Sequence, residues 1–145
     1  MNRGEDYAGV AVVFYCHDGQ GNVLLHKRSQ QCRDEKGCWD AGGGGLEFGD
    51  TVLDTLKKEI AEEFCTDVLE YDFLGYRDVH REHEGKKTHW VALDFIVRVD
   101  RKKARIGEPH KFDEIGWYRL GDFPTPLHSQ FPLFLEKYDA ELRAL

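Results

Sequence analysis

No window of this 145-residue chain approaches the roughly 18 consecutive apolar residues of a membrane-spanning helix. The opening stretch "MNRGEDYAGV" has no hydrophobic core of the kind a secretory signal needs. The sequence also has no internal repeat, low-complexity segment or linker, which leads us to expect one domain over residues 1–145. Basic residues are outnumbered, with 20 Lys and Arg against 27 Asp and Glu for a net charge of -7. That balance argues against a general binder of DNA or RNA backbones, which favours basic surfaces. Cysteine is sparse and irregular: Cys16, Cys32, Cys38 and Cys65 offer neither a C-x-x-C spacing nor an evident second pair. We read them as reduced thiols of a cytoplasmic protein rather than a disulfide framework or a zinc site.

The apolar content is sufficient for a core, at 41% of residues with 12% aromatic. "YAGVAVVFYC" and "NVLLHKRS" have the β-branched, partly alternating pattern of strands, and the turn "HDGQGN" between them predicts a hairpin. A polar loop, "QQCRDEKGC", precedes Trp39 and a run of four glycines from Gly42 to Gly45. From Thr51 to Phe64 the period changes. Val52, Leu53, Leu56, Ile60 and Phe64 recur at helical spacing, and Asp50 or Thr51 can cap the start. "VLEYDFLGYRDVHRE" and "KTHWVALDFIVRV" predict two long strands joined by "HEGKK". "IGWYRL" predicts a short strand, and "FPLFLEKYDAELRAL" one amphipathic helix with Pro132 in its first turn. The order is that of an α/β domain with a mixed sheet between helices. Trp39, Tyr76, Trp90 and Phe95 read as core aromatics.

The glycine run and the helix after it carry the chemistry. At about 100° per residue, Glu59, Glu62 and Glu63 share roughly a third of the helix circumference beside the apolar stripe. Clustered carboxylates repel one another, and they lie toward the helix C-terminus, where the macrodipole disfavours anions. A hard divalent cation removes both objections, because Mg²⁺ takes oxygen ligands and leaves positions for phosphate oxygens. Glycines let the backbone approach such an ion or a phosphate closely. A solvated acidic helix after a flexible loop is the bland alternative for "EIAEE" taken alone.

The whole stretch resembles the Nudix box, G-x5-E-x7-R-E-U-x-E-E-x-G-U with U aliphatic. Here it reads Gly44, five residues, Asp50, seven residues, then Lys58-Glu59-Ile60-Ala61-Glu62-Glu63-Phe64-Cys65-Thr66. The resemblance implies a Nudix-like α/β/α sandwich. It also implies hydrolysis of a nucleoside diphosphate linked to another moiety, by attack of water on phosphorus. By matching positions it implies Glu59, Glu62 and Glu63 as ligands of Mg²⁺ or Mn²⁺, joined by the carbonyl of Gly43; Glu59 is alternatively the general base or its orienter. It places Gly44 and Gly45 against the diphosphate, and a further acid from a distant loop, with Glu108 first and Glu114 second. Arg28, like Lys27, is placed to reach a phosphate.

Asp50, Lys58 and the Cys65-Thr66 pair depart from the pattern, and none of them removes an implied ligand. The expected substrates are nucleoside triphosphates, including oxidised ones, giving the monophosphate and pyrophosphate. An ADP-ribose or nucleotide-sugar diphosphatase and a non-catalytic nucleotide-sensing domain are the alternatives. A small-molecule nucleotide is the partner implied, and the oligomeric state stays open, a homodimer included. His80, His83 and His89 suggest a histidine metal site, but strand alternation is expected to scatter them.

Overall fold

The computed structural model describes residues 1–145. β1 (Gly9–His17) owes its central place to apolar side chains on both faces: Val12, Phe14 and Cys16 turn one way and are buried, and Tyr15 turns the other. It runs parallel to β6 (Lys86–Val99) from Gly9↔Trp90 to His17↔Arg98. β2 (Asn22–Arg28) meets β1 only at His17↔Val23, beside the predicted turn. Beyond that point β2 pairs with β3 (Trp39–Asp40) and with β7 (Phe112–Arg119). β5 (Val68–His83) forms the outer edge and pairs antiparallel with β6. The result is a seven-stranded mixed sheet in the order β3-β2-β1-β6-β5, with β7 alongside β2.

The glycine run is not the loop expected from its composition. Gly43–Gly45 form β4, paired antiparallel with Ala11–Val13 of β1. Flanking bonds from the Phe14 N–H to the Gly42 carbonyl and from the Leu46 N–H to the Val10 carbonyl set the ladder's alternation. That alternation leaves the carbonyls of Gly43 and Gly45 pointing out of the ladder.

Helices cover both faces, as the α/β/α sandwich requires. α1 (Val52–Phe64) starts where Thr51 accepts a side-chain bond from the Asp54 N–H, so Thr51 rather than Asp50 is the cap. Its stripe of Leu56, Ile60 and Phe64 packs on Val12, Phe14, Leu24, Val97 and Phe112. The opposite face holds Tyr15, Val23, Leu25 and Ile96 against the C-terminal segment. That segment is not one helix: it breaks at Tyr138 into α2 (Phe131–Lys137) and α3 (Asp139–Arg143), with Pro132 in the first turn as expected. Tyr138 sits at φ -111°, outside helical geometry, and its hydroxyl donates to Asp94 at 2.6 Å. Trp39 and Phe95 are core residues as read, whereas Trp90 is half-buried and Tyr76 is exposed at 60%. A bulge in β5 between Phe73 and Gly75 sets Tyr76 opposite Leu93, beyond the cover of α1.

Candidate active site

Three separate pieces of chain meet at the C-terminal half of α1. The first is the helix itself, which turns Glu63 inward, leaves Glu59 half-buried and keeps Glu62 in solvent. The second is the backbone from Gly42 to Gly44. A Cβ added at Gly42 would lie 3.2 Å from Glu63 Oε2, and one at Gly44 would overlap the Glu59 carboxyl group. Only glycine lets the strand run this close to both acids.

The third piece is the loop from Ala104 to Lys111, far along the chain. The last carbonyls of a helix have no partner within it. Here the Arg105 N–H donates to the Phe64 carbonyl at 3.0 Å and the Gly107 N–H to the Glu63 carbonyl at 2.9 Å. The loop is therefore fastened to the helix end, and the next residue, Glu108, arrives beside Glu63. A Cβ on Gly107 would overlap the Glu62 carbonyl oxygen. Gly107→Ala should cost about 1–3 kcal/mol of stability through this overlap, read as a lower urea midpoint, and should displace Glu108.

The electrostatics follow from this crowding. Burial pushes Glu63 well above the usual carboxylate range, with Glu59 and Glu108 adding repulsion. Burial and then Glu62 raise Glu59 in the same direction, and Lys58 and Lys111 oppose the rise. Glu63 Oε2 and Glu108 Oε1 are both buried without a hydrogen-bond partner. The other Glu108 oxygen pairs with Lys111 Nζ at 3.3 Å. Unpartnered buried carboxylate oxygens are costly, and a bound oxygen-seeking cation would offset that cost. Glu59, Glu63 and Glu108 bring their carboxyl groups to this end of α1, the carbonyl of Gly43 points out of its ladder, and Glu62 borders them from the solvent side.

The box departures are accommodated. Lys58 Nζ lies 3.9 Å from Asp50 Oδ2, so the two substituted positions pair with each other at the surface. Cys65 adopts the left-handed conformation at φ 57°, with its N–H on the Ala61 carbonyl. The helix therefore exits through the geometry that glycine would favour.

Glu63 lines one end of a cleft of about 650 Å³ that continues over the sheet past Val13, Arg77 and Ala92 to Phe131 and Phe134. Two residues absent from the sequence-based candidates lie in it, His26 and Lys111. His26 stacks on Phe112 with centroids 3.9 Å apart, its Nδ1 is unpartnered, and burial lowers it to about 4, leaving a neutral ring. Only its inward place on β2 marks it out, and the pattern of β2 alone reads equally well as core.

Arg28 lines the same cleft but is committed: its Nε donates to the Asp34 carbonyl at 3.1 Å and its Nη2 to Asp34 Oδ1 at 2.9 Å. Lys27 and Glu114 pair with each other at 3.8 Å, and Glu114 is exposed, leaving Glu108 as the distant acid beside the cluster.

The expected scattering of the histidines is only partly correct. His83 turns to the cleft, but the register sets His80 directly opposite His89, and their rings stack at 4.2 Å.

The family model for the NUDIX domain matches residues 7–138. The chain is a Nudix hydrolase. Among relatives of this hydrolase, an RNA pyrophosphohydrolase of Ruthia magnifica subsp. Calyptogena magnifica is 27% identical over all of this chain and 84% of its own length. A human 8-oxo-dGDP phosphatase is 22% identical over 92% of this chain, which spans only 39% of that protein. Among solved structures, a MutT NUDIX hydrolase from Burkholderia pseudomallei superposes with a TM-score of 0.79 at 27% identity, covering 90% of this chain and 98% of its own. The NUDIX domain of Shewanella oneidensis NrtR, solved with ADP ribose, shares the fold with a TM-score of 0.75 at 17% identity, over 94% of this chain and 90% of that one.

Proposed function

We propose that this Nudix hydrolase is a divalent-metal-dependent pyrophosphohydrolase of nucleoside 5′-phosphates, acting on triphosphates and their oxidised forms to release the monophosphate. The observation that carries the reading is the orphaned buried oxygen of Glu63 at the end of a nucleotide-sized cleft, with a second on Glu108, whose charge acts on Glu63. Glu59, Glu62 and Glu63, with the Gly43 carbonyl, would hold Mg²⁺ or Mn²⁺. When bound, the ion supplies Lewis acidity to the anhydride and makes its water a stronger acid.

The chain's own residues do the rest. Glu108 Oε1 accepts the proton of the attacking water, while Lys111 fixes the second oxygen of the same carboxylate. Glu59 orients that water from the helix side. Backbone at Gly44 and Gly45 lies along the diphosphate, with no side chain to keep it away. Arg28 offers its uncommitted Nη1 to a phosphate, its other donors being fixed on Asp34. The apolar stretch at Phe131 and Phe134 receives the base.

The relative named for RNA acts on a far more charged substrate than a free nucleotide. With a net charge of -7, this chain favours the free nucleotide. The test is a panel of nucleoside triphosphates, 8-oxo-dGTP, 8-oxo-dGDP, ADP-ribose and 5′-triphosphorylated RNA, with Mg²⁺, with Mn²⁺ and with chelator. Turnover of a free nucleoside triphosphate, lost in chelator and at least about a hundredfold slower in Glu62→Gln, is the expected result. Tight binding without turnover anywhere would instead identify a sensing domain, and preference for the RNA would overturn the substrate class.

A further inference from the structure

The β5–β6 hairpin has two chemically different faces. Arg77, Val79, Arg81, Thr88 and Trp90 line the cleft. On the reverse face Asp78 and His80 stand two residues apart on β5, and His89 stands across from His80 on β6. We propose that Asp78, His80 and His89 form a binding site for a transition-metal dication of the Zn²⁺ class, separate from the carboxylate cluster.

The three potential donor atoms lie within 4.8 Å of one another. Asp78 Oδ1 is 3.0 Å from His89 Nε2, and the two imidazole rings stack at 4.2 Å. Donors around tetrahedral Zn²⁺ stand about 3.4 Å apart, as bonds of roughly 2.0–2.1 Å require. Asp78 and His80 are exposed, so side-chain rotation alone closes the difference. The Asp78–His89 hydrogen bond accounts for two of the residues by itself. It does not account for His80, whose side chain makes no hydrogen bond and lays its ring on another imidazole. Two imidazoles and one carboxylate select Zn²⁺, Ni²⁺ or Cu²⁺ over Mg²⁺, which prefers an all-oxygen shell.

Position gives the site a consequence. Pairing with β1 stops at Trp90; beyond it the hairpin has its own ladder, one bond from the His89 N–H to the Gly4 carbonyl, and the ion pairs of Arg81 with Asp34 and Glu35 and of Lys86 with Glu5. Two strands alone are marginal in water. A metal joining His80 to His89 ties the strands together behind Arg81 and Thr88, which form the cleft wall.

The test is Zn²⁺ uptake by equilibrium dialysis in saturating Mg²⁺, which keeps the carboxylate cluster occupied, with Co²⁺ absorption as a spectroscopic probe. One equivalent should bind to the wild-type chain. His80→Ala and His89→Ala should each weaken it by at least about tenfold, with unchanged circular dichroism and unchanged Mg²⁺-dependent turnover. Asp78→Asn should weaken it too, whereas His83→Ala and Glu62→Gln should not. Uptake unaltered in both histidine variants, uptake lost with Glu62→Gln, or no uptake by the wild type would each overturn the proposal.

Discussion

Glu63→Gln should reduce turnover by at least about a hundredfold while making the metal-free protein more stable. The two effects share one cause. Glu63 is 6% exposed, its Oε2 has no partner, and burial with Glu59 and Glu108 nearby raises its protonation range well above the ordinary 4.5. A carboxyl group that holds its proton more tightly when folded stabilises the fold fully below about pH 4.5. That contribution is lost as pH rises toward the folded value. Metal-free wild type should therefore weaken from about pH 4.5 upward, and Glu63→Gln, which stays neutral, should weaken less. Added Mg²⁺ should restore the wild type at neutral pH and do little for the variant. Urea melts at acidic and neutral pH, with chelator or with Mg²⁺, read this directly. A variant less stable than wild type at neutral pH in chelator would show that Glu63 already has a partner.

Arg77→Ala is expected to cost about 3–5 kcal/mol of stability, the penalty for leaving a buried charge without its counterion. Asp94 is fully buried and accepts from Arg77 Nε at 2.7 Å and Nη2 at 2.9 Å, with the Tyr138 hydroxyl as a third donor at 2.6 Å. The Arg77 guanidinium also lies over the Phe134 ring, 5.5 Å from its centroid. These contacts join β5, β6 and the C-terminal helices, so their loss should loosen the cleft floor as well as the fold. Arg77→Leu combined with Asp94→Leu should recover most of the loss, because no charge is then stranded. A fall of less than about 1 kcal/mol for Arg77→Ala would mean that water reaches Asp94 and screens it.

Local signals in the sequence were enough for α1 and the long β5–β6 hairpin, because each depends on residues within a few positions of one another, and they narrowed the cap of α1 to Asp50 or Thr51. The carboxylate cluster was legible for the same reason: Glu59, Glu62 and Glu63 lie on one helical arc. What escaped depends on partners far away. Composition says loop for Gly43–Gly45, yet the open edge of β1 makes them a strand. The bulge at Phe73 and Gly75 moved Tyr76 out of the core, and no side-chain pattern announces a bulge. His80 and His89 meet because the hairpin turn fixes their register, whereas alternation taken strand by strand predicts only which face each occupies. The Arg77–Asp94 pair gave no signal, since each residue alone reads as an ordinary strand charge.

The hold of the Ala104–Lys111 loop on the last turn of α1 also bears on how the site fails. Two backbone hydrogen bonds, donated by the Arg105 and Gly107 N–H groups, serve at once as the helix's C-terminal closure and as the anchor of Glu108. Fraying that turn loosens Glu63 and Glu108 together, while Glu59, one turn earlier, stays on the helix. Glu63 and Glu108 are thereby coupled, and their placement rises and falls with the end of one helix.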